Sequence, residues 1–281
     1  MNGAPAPLPV PAATLGEGPR WDGSSGSLYW VDITAGRVHR LDGDGAFGSW
    51  DVGQPVGAVV VRSSGGLVLA ARDGFLTLDP ATGAVAPVVT LALPEGCRMN
   101  DGACDEAGRF FAGSMAEDEA PGRGTLFRLD PDHTVAEVIT GVTVSNGIGW
   151  SPDGSLLYYV DSPTRRIDVL DYDAATGAIA NRRPFAAVEA GAAIPDGLAV
   201  DAEGCVWVAL WDGGAVLRFG PDGRLRHTLE LPTPRVTSCA FGGPGLETLY
   251  ITTAAGPGSS GGELFCFQAG VTGLVSHAYQ G

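Results

Sequence analysis

An all-β fold, a six-bladed β-propeller built from four-stranded antiparallel blades, is predicted by three observations. Short apolar runs recur through all 281 residues, and 43 glycines and 20 prolines punctuate them without any collagen-like period. The most strand-like runs return roughly every 40 to 50 residues. A hydrophobic fraction of 44% is ample for a packed core.

The repeat is carried by SLYWVD at Ser27, GLVLAA at Gly66, RFFAGS at Arg109, LLYYVD at Leu156, CVWVAL at Cys205 and TLYITT at Thr248. A second extended run follows most of them after a short turn: RVHRLD, FLTLDP, TLFRLD, RIDVLDY, AVLRFG and ELFCFQ. Their β-branched and aromatic residues suit a pleated, packed surface. DGSSGS, SPDGS, DEAG and DAEG precede the first runs, and DPATG, DAATG and GPDG follow the second; Asp, Gly and Pro supply the dihedrals that hairpins require. Repeated antiparallel sheets assemble as a propeller or a sandwich. The period selects the propeller, because four strands of about five residues with their turns occupy about 40 residues.

The whole chain, 1–281, reads as one domain. The segment before Thr14 is expected to give the last blade its outer strand, closing the ring and removing a free sheet edge. Residues 114–124, SMAEDEAPGRG, are polar and glycine-rich and are expected to loop over one end of the ring. Trp21, Trp30 and Trp207 are expected between blades; Met99, Trp150 and Trp211 are expected at the channel mouth.

Seventeen basic against 32 acidic residues give a formal charge of −15, which disfavours nucleic acid and acidic membrane as partners and favours a cation or a neutral small molecule. Cys97, Cys104, Cys205, Cys239 and Cys266 are odd in number and lack metal or redox spacing, so they read as free thiols in a reducing compartment. MNGAPAPLPVPAA lacks the basic start and apolar core of a signal peptide, and no apolar segment reaches the ~20 residues that span a bilayer. A cytoplasmic protein is expected, as a monomer or weak dimer. His39, His133, His227 and His277 lack the spacing of a zinc motif.

Glu17 in LGEGPRW, Asn100 in CRMNDGACD, Asn146 in VSNGIGW and Asp196 in IPDGLAVD share nearly the same register within the repeat. In a propeller such positions converge on the central channel. The other two blades offer Gln54 to Gly57 and Thr237 to Cys239. Two carboxylates with one or two amide oxygens suit a hard divalent cation, Ca²⁺ or Mg²⁺, with Mn²⁺ and Zn²⁺ as further options. Without a cation, close carboxylates repel and one retains a proton. Glycines follow these residues, so each side chain has the alternative of capping its own turn. Four such residues at one register favour the shared site.

Taken together, LGEGPRW, RMNDG, SNGIGWSPD, YYVDS, IPDGLAVDAEG and TSCAFGG resemble the senescence marker protein, gluconolactonase and luciferin-regenerating enzyme family, from about Thr14 to Tyr250 and beyond. The resemblance implies a six-bladed propeller with a divalent cation in its channel, and many family members open sugar lactones. It matches Glu17, Asn146 and Asp196 to metal ligands, Arg98 and Asn100 to substrate-binding residues, and Asp196 also to the general base. Asp118 falls where the family has a substrate-contacting glutamate, with Glu117 and Glu119 beside it. The expected function is hydrolysis of an aldonolactone, such as gluconolactone or a pentonolactone, to the aldonic acid. One divalent cation (Ca²⁺, Zn²⁺, Mg²⁺ or Mn²⁺) would polarise the carbonyl while Asp196 assists water attack. The alternatives are a hydrolase of another ester-like substrate and a non-catalytic cation-binding regulator; Arg98 and Asn100 beside the ligands favour catalysis.

Overall fold

Short turns between successive apolar runs permit only antiparallel neighbours. The structure, a computed structural model that describes residues 3–256 and 261–281, consists of six four-stranded sheets in that pattern. Blade 1 comprises Gly16–Asp22, Ser27–Asp32, Arg37–Asp42 and Phe47–Asp51 in order from the channel outward. The inner strands of blades 2 to 6 are Val56–Val61, Cys97–Cys104, Ser145–Trp150, Ile194–Val200 and Val236–Gly242. The outermost strand of blade 6 is Ala6–Pro7, which pairs antiparallel with Phe265–Gln268 through Ala6 opposite Cys266 and Pro7 opposite Phe265. The opening segment thus closes the ring as its sequence implies; its first two residues lie outside the described ones.

Strand alternation explains where the core lies. In LLYYVD, Leu157 and Tyr159 pack against Phe111 and Leu126 of blade 3, whereas Tyr158 and Val160 pack against Leu198 and Val208 of blade 5. Both faces of each sheet are therefore apolar, and each of the six hydrophobic clusters fills the space between neighbouring blades. Trp21, Trp30 and Trp207 lie in these seams as expected. Fully burying a residue such as Val31 or Leu69 contributes roughly 1.5–3 kcal/mol. The five thiols are unpaired and four are buried.

The segment 114–124 is only partly a loop. Ser114 to Ala116 continue the strand Phe110–Ala116 because pairing with Cys97–Cys104 satisfies their backbone groups, and the connection spans 117–123. Met99 is 1% exposed and packs between blades 2 and 3, away from the channel mouth. Strand register turned it to the opposite face. At the far end of the channel, the tail runs from Gly273, whose N–H donates to Leu246 O at 2.7 Å, to Tyr279, whose N–H donates to Val61 O at 2.8 Å. The Tyr279 phenol adds a bond to Asp130 O at 2.8 Å, so the tail links blade 6 to blades 2 and 3.

The inner strands approach so closely that side chains are excluded at specific points. A Cβ at Gly57 would sit 2.1 Å from Asn100 O, and one at Gly197 would sit 2.1 Å from Ser238 Oγ. Gly57→Ala is expected to destabilise the protein by about 3 kcal/mol, because the atom it meets is backbone that cannot rotate aside. Urea unfolding should show a lower midpoint at unchanged slope; an unaltered midpoint would contradict this packing.

Candidate functional site

The inner strand of every blade carries a register irregularity at one level of the ring. It falls between Glu17 and Arg20, Val56 and Ala58, Met99 and Gly102, Ser145 and Ile148, Pro195 and Leu198, and Val236 and Ser238. An extra residue in one strand bends it and redirects side chains, which is how a bulge aims groups that a regular strand would point between blades. Glu17, Asn100, Asn146 and Asp196 all sit within or beside these bulges, and the structure gathers them on the channel. Each is buried, at 4%, 6%, 5% and 6% exposure.

Hydrogen bonds join half of the site into one directed chain. Arg98 Nη1 donates to Asn100 Oδ1 at 2.7 Å and to Met99 O at 3.0 Å. Asn100 Nδ2 donates to Asn146 Oδ1 at 2.9 Å and to Ser145 O at 3.0 Å, and Asn146 Nδ2 donates to Ser162 Oγ at 2.8 Å. Arg98 can only donate and the Ser145 carbonyl can only accept, so they fix the Asn100 amide, whose Nδ2 in turn fixes where the Asn146 oxygen lies. Asn100, expected to meet substrate, already engages both ends of its amide; its oxygen keeps a second lone pair.

The carboxylates have a different anchor. Gly18 N–H donates to Glu17 Oε2 at 2.8 Å, and Gly102 N–H donates to Asp101 Oδ1 at 2.7 Å. Among the described residues no donor meets the second oxygen of Glu17. Burial, then the charge of Asp101, pushes the Glu17 carboxyl up to about 8, although Gly18 N–H, Arg98 and Arg20 oppose the shift. Asp196 is likewise pushed well up, by burial and then by Glu17 and Asp101, against the Gly197 N–H and Arg98. Burial lowers the Arg98 value, while Glu17, Glu117 and Asp196 favour its charged form. Two buried, mutually repelling carboxylates beside an oriented amide oxygen form the donor set of a hard divalent cation, so Glu17, Asn146 and Asp196 fit such an ion.

Asp118 is exposed, and its Oδ1 accepts the Ala120 N–H at 3.1 Å, a local turn bond. The structure does not join it to the cluster. Glu117 instead pairs with Arg72 at 2.6 Å and contributes its charge at Arg98. Trp150 lines a cavity of about 330 Å³ near the tail, with Arg109, Tyr172 and His277, because it lies at the far end of its strand. Trp211 lies opposite Ile194 and under Arg235, 4.9 Å from the ring centre. Sequence reasoning passed over Asp101 and Arg20; the signal was the Asp101-Gly102 pair, which repeats the acid-glycine pattern of Glu17-Gly18 and Asp196-Gly197.

Asp201, Glu203 and Cys205 also place potential ligand atoms within 4.8 Å of one another and form a second group of metal-ligand type. Asp201 there accepts the Cys205 N–H and Trp207 Nε1 at 2.9 Å and Arg218 Nη2 at 2.7 Å, and Glu203 meets Arg218 at 2.7 Å. Arg218 thus offsets one of the two carboxylate charges and ties both acids into blade 5.

The profile described as SMP-30/Gluconolactonase/LRE-like region matches residues 15–255. Regucalcin of Xenopus laevis is 38% identical over 284 residues, covering 95% of this chain and 95% of that protein. A solved luciferin-regenerating enzyme superposes with a TM-score of 0.91 at 29% identity, over 99% of this chain and 100% of the other. A calcium-binding protein, regucalcin, from Agrobacterium tumefaciens superposes with a TM-score of 0.94 at 28% identity, over 99% and 97%.

A carboxyl that holds its proton more tightly in the folded than in the unfolded chain favours folding at low pH. For Glu17 that contribution is complete below its ordinary value of 4.5 and is lost as pH rises through about 8. Cation-free protein is therefore expected to lose stability relative to Glu17→Gln across this window. Thermal unfolding in chelator at a series of pH values checks it, and curves that stay parallel would refute it.

Proposed function

The chain belongs to the SMP-30/gluconolactonase/LRE-like family, and from that premise we propose that it hydrolyses a sugar lactone with one divalent cation held by Glu17, Asn146 and Asp196. The observation that carries this reading is the convergence of two buried, proton-retaining acids and an oriented amide oxygen beside the cationic Arg98. A site that only stored a cation would gain nothing from a guanidinium alongside it. The substrate class is an aldonolactone, gluconolactone or a pentonolactone, and Ca²⁺, Zn²⁺, Mg²⁺ and Mn²⁺ all match the oxygen donors.

When bound, the cation supplies Lewis-acid polarisation of the lactone carbonyl. The chain's own residues supply the rest. Arg98 presents its fork to ring or hydroxyl oxygens and steadies the carboxylate that forms. Asn100 offers its remaining oxygen lone pair to a sugar hydroxyl while holding the Asn146 oxygen in place. Asp196 takes a proton from water as that water's oxygen bonds to the carbonyl carbon. The bond from that carbon to the ring oxygen then breaks, and the ring oxygen leaves as a hydroxyl after taking up a proton. Asp118, on the exposed connection after Ala116, is assigned the substrate's distal hydroxyls, which it would meet from outside the cluster. The unpaired thiols accord with a reducing, cytoplasmic setting.

Sugar lactones assayed for acid release after chelation and metal repletion, with spontaneous opening subtracted, test the reading directly. Turnover should vanish on chelation and return with a divalent cation. Asp196→Asn is expected to lose about 10²- to 10⁴-fold in kcat while still binding metal. Arg98→Ala should chiefly raise KM. Full activity in stripped protein, or cation binding without turnover on any lactone, would overturn it.

A further inference from the structure

Asp101 is a third acid at the ring's constricted level that the reaction above does not use. It is 4% exposed and lies in the bulge of blade 3, and its Oδ1 is anchored by the following glycine N–H, as Glu17 is in blade 1. Its charge acts on both Glu17 and Asp196. Asp101 has no place in the chain of bonds from Arg98 to Ser162. Its partner is Arg20 of blade 1, 3.6 Å away with its side chain 11% exposed.

Arg20 reaches Asp101 across blade 2. Its guanidinium donates to Gly102 O of blade 3 at 2.6 Å and to Pro19 O of its own blade at 2.8 Å. Those bonds bridge the bulges of two non-adjacent blades. With all groups ionised, the three carboxylates Glu17, Asp101 and Asp196 face the two guanidiniums Arg20 and Arg98, leaving one excess negative charge. A dication turns that into one excess positive charge, a near-symmetric change that keeps the buried site close to neutral in both states. Removing the Asp101 charge makes the loaded site strongly positive; removing the Arg20 charge makes it neutral.

We propose that Asp101, balanced by Arg20, sets the net charge around the channel and thereby the affinity with which Glu17, Asn146 and Asp196 hold a divalent cation. Asp101 acts as a positioning residue through charge, without meeting substrate. The proposal rests on the cation reading given above.

Isothermal titration of chelator-stripped full-length protein with CaCl₂ and MnCl₂ tests it without reference to turnover. Asp101→Asn is expected to bind at least about tenfold more weakly, and Arg20→Met at least about tenfold more tightly, since a buried unit charge acting on a dication at an effective dielectric of ~20 exceeds the ~1.4 kcal/mol that a tenfold change represents. A merely structural pair would weaken binding in both variants, and that outcome, or an unchanged Kd in Asp101→Asn, overturns the proposal. Should Arg20→Met fail to fold, Arg20→Lys decides. It keeps the charge but loses the fork, so an affinity within about twofold of wild type supports the charge role, and weakening like that of Asp101→Asn refutes it. Absence of cation binding in the wild type would overturn the cation reading itself, and this inference with it; binding in the wild type that Asp101→Asn leaves unchanged sinks the inference alone.

Discussion

The site depends on backbone crowding at the centre of the ring. Regular strands point side chains alternately at the two neighbouring blades, where the apolar clusters lie, and none toward the axis. A bulge at one level of every inner strand breaks that alternation, and the lack of a side chain at Gly57 and Gly197 lets the strands come within contact while doing so. The burial that results, and after it the charge of neighbouring carboxylates, push Glu17 and Asp196 toward their protonated forms. The apolar seams supply the stability that tolerates this concentration of like charge, a common compromise between a working site and a relaxed one.

The parts legible in the sequence were those the repeat preserves. Six matched strand runs give the number of blades, and the common register of Glu17, Asn100, Asn146 and Asp196 puts them at one level of the ring. Asp101 was hidden because it follows Asn100 directly, and consecutive residues of a regular strand face opposite ways. Only an irregular step lets both serve the same region, and no residue type spells out such a step. The same arithmetic misplaced Met99, which packs in a seam, and Trp150, whose distance along the strand carries it to the other end of the channel. Arg20 could not be read at all, since its partners Asp101 and Gly102 lie 81 and 82 positions away in a non-adjacent blade and no repeat register links them.

Two buried polar systems in the molecule show how differently acids are treated. Asp201 is surrounded by backbone, indole and guanidinium donors and ties Arg218 into blade 5. Among the described residues, no donor meets the second oxygen of Glu17. A carboxylate satisfied by its own protein is part of the scaffold, whereas one held out of water and left short of donors is prepared for something that arrives from outside. That contrast, more than the number of acids in either place, separates the two as sites.

The blade that joins the two ends of the chain carries a consequence for biosynthesis. Five blades are each assembled from consecutive segments and can form as they leave the ribosome, but Ala6–Pro7 is made before all five and must wait for its partner Phe265–Gln268, which is made after them. Until that partner is made it remains a strand without a sheet. Pro5, Pro7, Pro9 and Pro11, none with an amide hydrogen, make it a poor partner for any nascent sheet edge that it meets in the meantime.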